Sequence, residues 1–334
     1  MKRKAVFFTA PCKAEFVECD VPVMGENDVL VRNEFTVISG GTERANIMGM
    51  KNVPVGYPKA SGYSGIGYVE AVGERVKSVQ PGDRVLVYHG IHANHNVRGE
   101  DEITKIETED VASEDAVFAI IASMGLGGLR RLEVEIGESV MVMGLGLLGI
   151  FALQFARLSG AYPLIAVDPN EERRKLALEL GADYALDPTS SDFTQTVKKL
   201  TGGKGANAIV EVTGAMVALK QALACSAREA RISLLGCTRV SDGSIDYYSE
   251  VHRPGIKLIG AHNMVRPKHE SRPHCWTHHD DCRAILKLIS AGRIQVAPIR
   301  SRIVSPLQAA EIYDQLCNDP NFPMGTVFDW RDIE

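Results

Sequence analysis

The sequence predicts an α/β protein of two domains, with a β-rich domain first and a doubly wound parallel sheet second. Its 334 residues exceed what one hydrophobic core usually organises, so two domains are expected. Residues 1 to about 120 read as short strands separated by turns, whereas apolar runs alternate with helical patterns from about 137 to 260. This alternation is typical of a parallel sheet with helices on both faces.

The N-terminal strands are predicted from runs rich in β-branched and aromatic residues, which favour extended structure. These runs cover residues 5–10, 14–19, 28–39, 64–73 and 83–90. The turn sequences "GEND" (25–28) and "QPGD" (80–83) separate them and indicate a folded-over barrel. A long helical pattern then follows over residues 114–132.

The second half of the chain is predicted as alternating strands and helices. Strands are expected at 139–144, 162–168, 206–214, 230–236 and 256–261, and helices at 147–160, 170–182, 193–203 and 215–228. The tail returns to helices at 277–294 and 305–317 and closes on a strand at 325–330. Thr277 with Asp280 forms a start like a capping box, and Gly292 lies where a helix C-cap glycine belongs.

Composition restricts the partners and the compartment. A net charge of -5 gives no electrostatic case for nucleic acid or an acidic membrane surface. The seven cysteines are scattered and form no CxxC pair, which fits a reducing cytoplasm rather than a disulfide framework. The opening apolar run is too short for a signal peptide, and the apolar stretch 139–160 is interpreted as strand, turn and helix rather than a membrane span.

A dinucleotide site is predicted where Gly144, Gly146 and Gly149 have GxGxxG spacing between a strand and a helix. The first glycine permits a tight turn, the second admits a pyrophosphate, and the third lets the helix pack on the strand. Asp168 ends the next strand, where a carboxylate can accept both ribose hydroxyls and repel a 2′-phosphate, so NAD is favoured over NADP. Arg173 and Arg174 could bind a 2′-phosphate or form solvated helix surface.

The chain resembles the medium-chain dehydrogenase/reductase superfamily, whose typical member is zinc alcohol dehydrogenase. The block "GIGYVEAVGERVKSVQPGDRVLV" (65–87) and then "GLGLLG", "LGAD" and "VTG" follow in the family's order and spacing. The resemblance implies a GroES-like catalytic domain from 1–122 and 261–334, with a Rossmann domain from 123–260 inserted between them. It also implies a homodimer or homotetramer, paired through the last sheet strand. Implied cofactor-binding residues are Gly144, Gly146, Leu147, Leu148, Gly149, Asp168, Val212, Thr213, Gly214, Leu235, Gly236 and Thr42.

The family's usual zinc ligands are not present at the matching positions of this chain. "ISGGTE" (38–43) replaces C-G-[ST]-D and leaves Ser39, or Gly41 in a shifted alignment, in place of the cysteine. "SGYSG" (61–65) replaces G-H-E, and Ile120 or Ile121 stands near the third ligand. The four cysteines of the structural-zinc lobe are also absent between His95 and Val111. Zinc prefers nitrogen and sulfur ligands, so neither a catalytic nor a structural zinc is expected at the family's positions.

Without zinc, a side chain must hold the substrate oxygen and another must move its proton. His89 or His92 is predicted as acid/base, with Tyr63 as the hydrogen-bond donor to the substrate oxygen and Ser39 beside it. The alternative is that these histidines are exposed or structural and that Tyr63 only fills space. Glu43 is either a general base or an ion-pair partner of Arg44 or of another cleft residue.

The resemblance also suggests which residues line the substrate cleft. They are Thr42, Arg44, Tyr88, His262, Asn263 and Arg266, with His274 as a further candidate. This polar and cationic set favours a polyhydroxylated or anionic substrate such as a sugar, cyclitol or sugar acid. A metal site made by His274, His278 and Cys282 is the competing interpretation of the second histidine cluster, and a helix starting near His278 argues against it.

Three functions remain open from the sequence. The favoured one is a zinc-independent, NAD-dependent dehydrogenase of a secondary alcohol, or the matching ketone reductase. The second is a zinc-free enone or quinone reductase, and the third is a non-catalytic NAD(H)-binding protein. Asp168 and the histidines favour the first over the second.

Overall fold

The computed structural model describes residues 1–108 and 110–334. It divides into two compact units, the first comprising Met1–Ile121 with Cys282–Glu334 and the second comprising Ala122–Asp281. Among the described residues, no helix has both the length and the apolar character needed to cross a membrane.

The strands and helices have the following bounds. The strands are β1 (Lys2–Ala10), β2 (Lys13–Asp20), β3 (Asp28–Val37), β4 (Lys59–Ala60), β5 (Ser64–Val72), β6 (Arg84–Tyr88), β7 (His95–Gly99), β8 (Ile103–Lys105), β9 (Val140–Met143), β10 (Leu164–Val167), β11 (Tyr184–Leu186), β12 (Ala206–Glu211), β13 (Ser226–Leu234), β14 (Lys257–Gly260), β15 (Arg302–Val304) and β16 (Thr326–Asp329). The α-helices are α1 (Gly40–Ile47), α2 (Ser113–Ala116), α3 (Ala119–Arg130), α4 (Leu147–Leu158), α5 (Glu171–Glu179), α6 (Phe193–Leu200), α7 (Met216–Cys225), α8 (His278–Ser290) and α9 (Ala309–Asn318). Short 3₁₀ helices cover Glu100–Glu102, Asn263–Val265 and Pro306–Gln308, and a π-helix covers Tyr247–His252.

The first unit is β-rich, as predicted, and the tail completes it. One sheet has the order β2-β1-β4, and a larger one has the order β15-β16-β3-β5-β6-β8, with β7 paired to β3. Strand β16 lies antiparallel to β3, so the last strand of the chain joins the first unit. A core of large apolar side chains, including Phe8, Phe328 and Trp330, packs α9 against these strands.

The second unit is the predicted doubly wound parallel sheet. Its strands run in the order β11-β10-β9-β12-β13-β14, and every pairing between them is parallel. The order reverses between β9 and β12, and dinucleotides bind at such a reversal. Strand β11 was not predicted, because its three residues, with Tyr184 exposed, carry no apolar run that distinguishes a strand.

The second unit extends further along the chain than the predicted boundary at 260. Residues 261–281 lie with the parallel sheet rather than with the GroES-like unit. Arg266 explains this placement, since it is bonded to Asp281 and to the carbonyl oxygens of Ser123 and Thr277. The side chains of Ser123 and His278 are also bonded, at 3.0 Å.

Helix α1 was not predicted, and it matters for the site. The predicted strand 28–39 ends at Val37, and the next residues turn into a helix beginning at Gly40. "GGTERANI" has two glycines and no apolar periodicity, so local sequence gives little helix signal. Tertiary packing supplies the stability instead, because Glu43, Ala45 and Ile47 are all buried.

The predicted start of α8 is confirmed in part. Thr277 accepts the backbone N–H of Asp280 at 3.1 Å, as an N-cap does. The Thr277 N–H donates to the Ser271 hydroxyl at 2.9 Å, and this hydroxyl in turn donates to the Asp280 carboxylate. Gly292 has a φ of +64°, the left-handed conformation expected after a helix C-terminus.

Candidate active site

The glycine motif of the second unit has the geometry that pyrophosphate binding requires. Gly144 adopts a φ of +94° directly after β9, and α4 begins at Leu147. A Cβ on Gly149 would lie 1.8 Å from the Gly144 carbonyl oxygen, so only glycine permits this contact of helix and loop. A Cβ on Gly146 would meet nothing within 4 Å, which leaves open space beside the helix N-terminus. The first-turn N–H groups of Leu147 and Leu148 lack intrahelical partners and attract an anion there.

The loops that follow β12 and β13 lie against the glycine motif. A Cβ on Gly144 would lie 2.9 Å from Thr213 Cγ2, and a Cβ on Gly236 would lie 2.3 Å from the Gly214 nitrogen. The N–H groups of Leu235 and Gly236 donate to the Glu211 carbonyl oxygen at 2.9 Å each. The structure therefore brings together the predicted cofactor residues that follow three strands of the sheet, namely Gly144, Val212, Thr213, Gly214, Leu235 and Gly236.

Glu211 is a site residue that the sequence interpretation missed. It ends β12, is 3% exposed, and accepts the backbone N–H groups of Thr213 at 2.7 Å and Gly214 at 3.1 Å. Burial raises the pKa of this carboxyl, and the bonds to Thr213 oppose the rise. Glu211 thus fixes the loop after β12. The available signal was an acidic residue at the end of a buried apolar strand.

Asp168 lies at the end of β10 with both carboxylate oxygens directed at backbone. Its Oδ2 accepts the Leu145 N–H and its Oδ1 accepts the Asn170 N–H, each at 2.8 Å. Each oxygen has a second lone pair, so the carboxylate can still accept ribose hydroxyls. Arg174 donates to the Asp168 and Pro169 carbonyl oxygens, whereas Arg173 Nη1 lies 3.8 Å from Asp168 Oδ2. The residues of this edge fit a nicotinamide dinucleotide.

Substituting Gly149 with alanine tests this fit. The new methyl group must displace the Gly144 backbone, so we expect the Kd for NAD to rise by about 100-fold, the equivalent of about 2.7 kcal/mol. Nucleotide titration by fluorescence measures the change, and circular dichroism verifies folding. Gly260→Ala is the matched control, since a Cβ there meets nothing within 4 Å. Equal NAD affinities in the two variants would contradict the assignment.

In the first unit, two predicted residues form a hydroxyl pair. The Tyr63 hydroxyl donates to Ser39 Oγ at 2.7 Å, and the Thr42 side chain also hydrogen-bonds Tyr63. Tyr63 is partly exposed, and desolvation raises the pKa of its phenol far above the usual value. Tyr63 is therefore a neutral hydroxyl at physiological pH, suited to donating a hydrogen bond rather than to accepting a proton.

Glu43 and His92 lie in a buried network. Glu43 is 2% exposed, and its Oε2 is bonded to His92 Nε2 at 3.0 Å and to the Tyr313 hydroxyl. Its Oε1 accepts the Ser39 N–H at 2.8 Å. The His92 side chain is fully buried, with Nδ1 bonded to Thr36 Oγ1 at 2.6 Å. His92 cannot touch a substrate, which leaves it the structural role that the sequence kept open.

His89 has the opposite environment. Its side chain is 52% exposed, and its Nδ1 is bonded to Glu102 Oε1 at 2.6 Å. The ring stacks on Tyr88 with centroids 3.7 Å apart, and the His89 N–H donates to the Tyr63 carbonyl oxygen at 2.9 Å. Because Glu102 accepts a proton-bearing Nδ1, Nε2 carries the lone pair of the neutral ring. The hydrogen bond to His89 lowers the pKa of Glu102, another site residue that the sequence interpretation missed.

Two arginines predicted to line the cleft have structural partners. Arg44 donates to the carbonyl oxygens of Leu316 at 2.7 Å and Asp319 at 2.6 Å, which ties α1 to the end of α9. The Glu43–Arg44 ion pair is not formed, because Glu43 is bonded to His92 and Tyr313. Arg266 is anchored within the second unit by Asp281.

Arg266 nevertheless lies beside other predicted substrate residues. A small cavity of the second unit is lined by Met124, Gly127, Arg130, Arg131, Ala261, His262, Asn263, Val265, Arg266, Cys275 and Trp276. Arg130 stacks over the Trp276 ring at 3.8 Å and bonds Asp281 at 2.8 Å. His274 lies in a turn before α8 with a φ of +59°. Among residues 1–108 and 110–334, no group of three or more His, Cys, Asp or Glu side chains is placed to hold a metal ion.

Comparison with known proteins decides the family. Residues 25–143 match the alcohol dehydrogenase GroES-like domain, and residues 148–271 match the zinc-binding dehydrogenase domain. The L-threonine 3-dehydrogenase of Pyrococcus horikoshii is 30% identical over 329 residues, which cover 89% of this chain and 90% of that one. The chain belongs to the zinc-type alcohol dehydrogenase family of medium-chain dehydrogenases. The predicted resemblance is confirmed.

Further relatives agree with this family. D-guloside 3-dehydrogenase of Escherichia coli is 28% identical over 218 residues, covering 64% of this chain and 62% of the relative. The solved structure of an alcohol dehydrogenase from Thermus sp. ATN1 has a TM-score of 0.84 at 22% identity and covers 98% of this chain and 99% of its own. This medium-chain dehydrogenase is therefore an oxidoreductase of the alcohol dehydrogenase type with an NAD(P)-binding fold.

Proposed function

We propose that this protein is a zinc-independent, NAD-dependent oxidoreductase that interconverts a secondary alcohol and its ketone. One observation carries the proposal. The Tyr63 hydroxyl and Ser39 Oγ are bonded at 2.7 Å, in the two segments where the family resemblance would put zinc ligands. When the Ser39 hydroxyl turns its own proton toward the Tyr63 oxygen, the single proton of the neutral phenol is free to bond a substrate oxygen, which a metal would otherwise polarise.

The side chains at the family's zinc position do not fit that metal. Tyr63 and Ser39 are bonded to each other, and Ser64 Oγ donates to the Val117 carbonyl oxygen at 2.9 Å. Ile120 and Ile121 are fully buried hydrocarbon side chains. Structural and catalytic zinc sites use thiolate, imidazole or carboxylate ligands, and this set supplies none of them. The chemistry of these donors favours an organic route.

His89 is the proposed base for the alcohol proton. It is exposed, it neighbours Tyr63 through a backbone hydrogen bond, and Glu102 holds it in the tautomer whose Nε2 accepts a proton. Bound NAD supplies the nicotinamide carbon that accepts the hydride. Tyr63 orients the substrate oxygen, His89 takes its proton, and the same groups act in reverse for ketone reduction.

The substrate class is proposed as a polyol, sugar or cyclitol. Two relatives are named L-threonine 3-dehydrogenase and D-guloside 3-dehydrogenase, and carbon 3 of each named compound bears a secondary hydroxyl. His262, Asn263 and Arg266 share one cavity of the second unit, which supports a polar substrate.

We also propose a homodimer or homotetramer in the cytoplasm. Strand β14 pairs with β13 and ends the order of the parallel sheet, so its outer edge can pair with that of a second copy. Tyr247, Tyr248 and Met264, which are all exposed, flank β14 in the sequence. The free cysteines favour a reducing compartment.

Kinetics of Tyr63→Phe, together with metal analysis of the purified enzyme, test this function. We expect NAD-linked oxidation of at least one secondary alcohol to survive chelation without stoichiometric metal. Tyr63→Phe should lower kcat by about 100-fold, the usual cost of losing one oxyanion donor. Tyr57→Phe is the matched control, because its hydroxyl donates to the Ile47 carbonyl oxygen at the far end of α1.

Three outcomes would contradict the proposal. One zinc per chain, lost together with activity, would restore the metal route. An unchanged kcat in Tyr63→Phe would remove the hydroxyl from the reaction. Tight NADH binding without turnover on any alcohol, ketone or enone would indicate a non-catalytic nucleotide-binding protein.

A further inference from the structure

A chain of hydrogen bonds runs through the core of the first unit to the site. Trp330 Nε1 donates to Thr36 Oγ1 at 2.8 Å, and Thr36 Oγ1 lies 2.6 Å from His92 Nδ1. His92 Nε2 continues the chain to Glu43 at 3.0 Å. Trp330, Thr36 and His92 are fully buried, so the surrounding protein must satisfy these polar groups.

The partners of this chain fix the orientation of the His92 ring. The indole of Trp330 can only donate, so Thr36 Oγ1 accepts from it, and the same oxygen is bonded to His92 Nδ1. On the other side of the ring, an ionised Glu43 carboxylate only accepts, so His92 Nε2 donates to it. A ring held on both sides in this way cannot exchange protons with a substrate.

Glu43 receives three donors. Oε2 accepts from His92 and from the Tyr313 hydroxyl, and Oε1 accepts the Ser39 N–H. Burial raises the pKa of the Tyr313 phenol, and the neighbouring Glu43 raises it further, so Tyr313 remains a donor. Burying a carboxylate costs stability, and the three donors offset that cost while they fix the orientation of the Glu43 side chain.

The last bond of the chain sets the orientation of Ser39. Ser39 is the N-cap of α1, and an N-cap serine usually uses its hydroxyl to cap a helix N–H. Here the hydroxyl makes no cap bond, and it accepts the Tyr63 hydroxyl instead. The Glu43 carboxylate holds the Ser39 backbone in the manner of a capping box.

We propose that Glu43, fixed by His92 and Tyr313, is a positioning residue that holds Ser39 against Tyr63. This inference rests on the proposed function of Tyr63. It gives His92 a role in the reaction without contact with substrate, and it assigns Tyr313, which lies in α9, to the active site. The network acts on how the substrate oxygen is oriented, so it affects kcat more than KM.

A double-mutant cycle tests the proposal. Tyr313→Phe removes one donor to Glu43 without changing the shape of the ring, and we expect kcat to fall about tenfold, the effect of one hydrogen bond to a charged group. KM should remain within about twofold of wild type. In a Tyr63→Phe background the same substitution should cost nothing further, because its effect passes through the Ser39–Tyr63 pair.

Tyr57→Phe is again the control, since it deletes a tyrosine hydroxyl bonded to the opposite end of α1. Equal kcat losses in Tyr313→Phe and Tyr57→Phe, or full additivity with Tyr63→Phe, would overturn the positioning role. If Tyr313→Phe does not fold, Thr36→Val interrupts the chain one step before His92 and must show the same coupling. Failure of the proposed function is distinguishable, because Tyr63→Phe alone would then keep full activity, or the wild-type protein would show no turnover or would lose its activity together with zinc.

Discussion

Replacing His89 with alanine is expected to lower kcat for alcohol oxidation by about 1,000-fold, within the range that general acid–base catalysis contributes. The proton of the alcohol needs an acceptor that a substrate entering from solvent can reach. His89 meets this requirement with a side chain 52% exposed, whereas His92 is fully buried. Steady-state oxidation with saturating NAD measures the loss.

The local structure of His89 supports a dedicated role. Its φ of +56° is uncommon for a residue with a Cβ and costs about 1–3 kcal/mol, and such strain concentrates at functional sites. Glu102 at 2.6 Å and the Tyr88 ring at 3.7 Å then fix the imidazole in orientation and tautomer. Glu102→Gln should therefore reduce kcat in the same direction, by about tenfold.

Chemical rescue separates a proton acceptor from a structural group. Because His89 is exposed, added imidazole can enter the space left in His89→Ala, and we expect it to restore a measurable part of kcat. His95→Gln provides the matched control, since His95 also pairs with a glutamate, Glu70 at 3.3 Å, in the same unit. Full activity in His89→Ala, or an equal loss in His95→Gln, would assign the proton to another group.

Much of the cofactor site could be predicted from the sequence, because its chemistry depends on local order along the chain. Gly144, Gly146 and Gly149 follow a buried strand and open a helix, and the structure has that arrangement. Glu211 was missed, because an acidic residue at the end of an apolar strand is a weak signal and its role depends on its burial at the end of β12.

The proton-transfer site was predicted only as a set of candidates. His89 and His92 lie three residues apart in similar sequence, yet one is exposed and the other lies in the core. The packing of β3, α9 and the residue after β16 on this segment separates them, because the network around His92 and Glu43 contains Thr36, Tyr313 and Trp330. Tyr313 is 270 residues from its partner Glu43, a separation that leaves no local pattern.

The arginines show the same limit. A positive charge near a predicted cleft suggests substrate binding, but the carbonyl groups that hold Arg44 belong to the end of α9. Arg266 is likewise held by Asp281, which is fully buried. Charge can be read from sequence, whereas the partner that satisfies it is set by the fold.

The ratio of kcat/KM for NAD to that for NADP should fall by about 1,000-fold when Asp168 is replaced by asparagine. Two hydrogen bonds from ribose hydroxyls to a carboxylate contribute about 1.5–3 kcal/mol each, so losing the charge weakens NAD binding by that order. The same change removes the repulsion of a 2′-phosphate. It also leaves Arg173, 3.8 Å from the Asp168 carboxylate, as a cation available to that phosphate.

A second substitution tests whether Arg173 takes this role. Adding Arg173→Ala to Asp168→Asn should abolish the gain for NADP without restoring NAD, because the only change is the loss of the guanidinium beside residue 168. Arg174 should not replace it, since its guanidinium donates to the carbonyl oxygens of Asp168 and Pro169.

Asp183→Asn is the control for losing an aspartate whose carboxylate accepts a backbone hydrogen bond. Asp183 accepts the Leu164 N–H at 2.8 Å and lies 3.5 Å from Arg157, as Asp168 accepts the Leu145 N–H and lies near Arg173. Its backbone partner, Leu164, lies outside the glycine motif. The ratio of kcat/KM for NAD to that for NADP should therefore stay at the wild-type value. Two results would contradict this prediction: a wild-type enzyme that prefers NADP, or an Asp168→Asn variant with an unchanged ratio of kcat/KM for NAD to that for NADP. Either would show that the Asp168 carboxylate only holds the glycine loop through Leu145 and that other residues select the nucleotide.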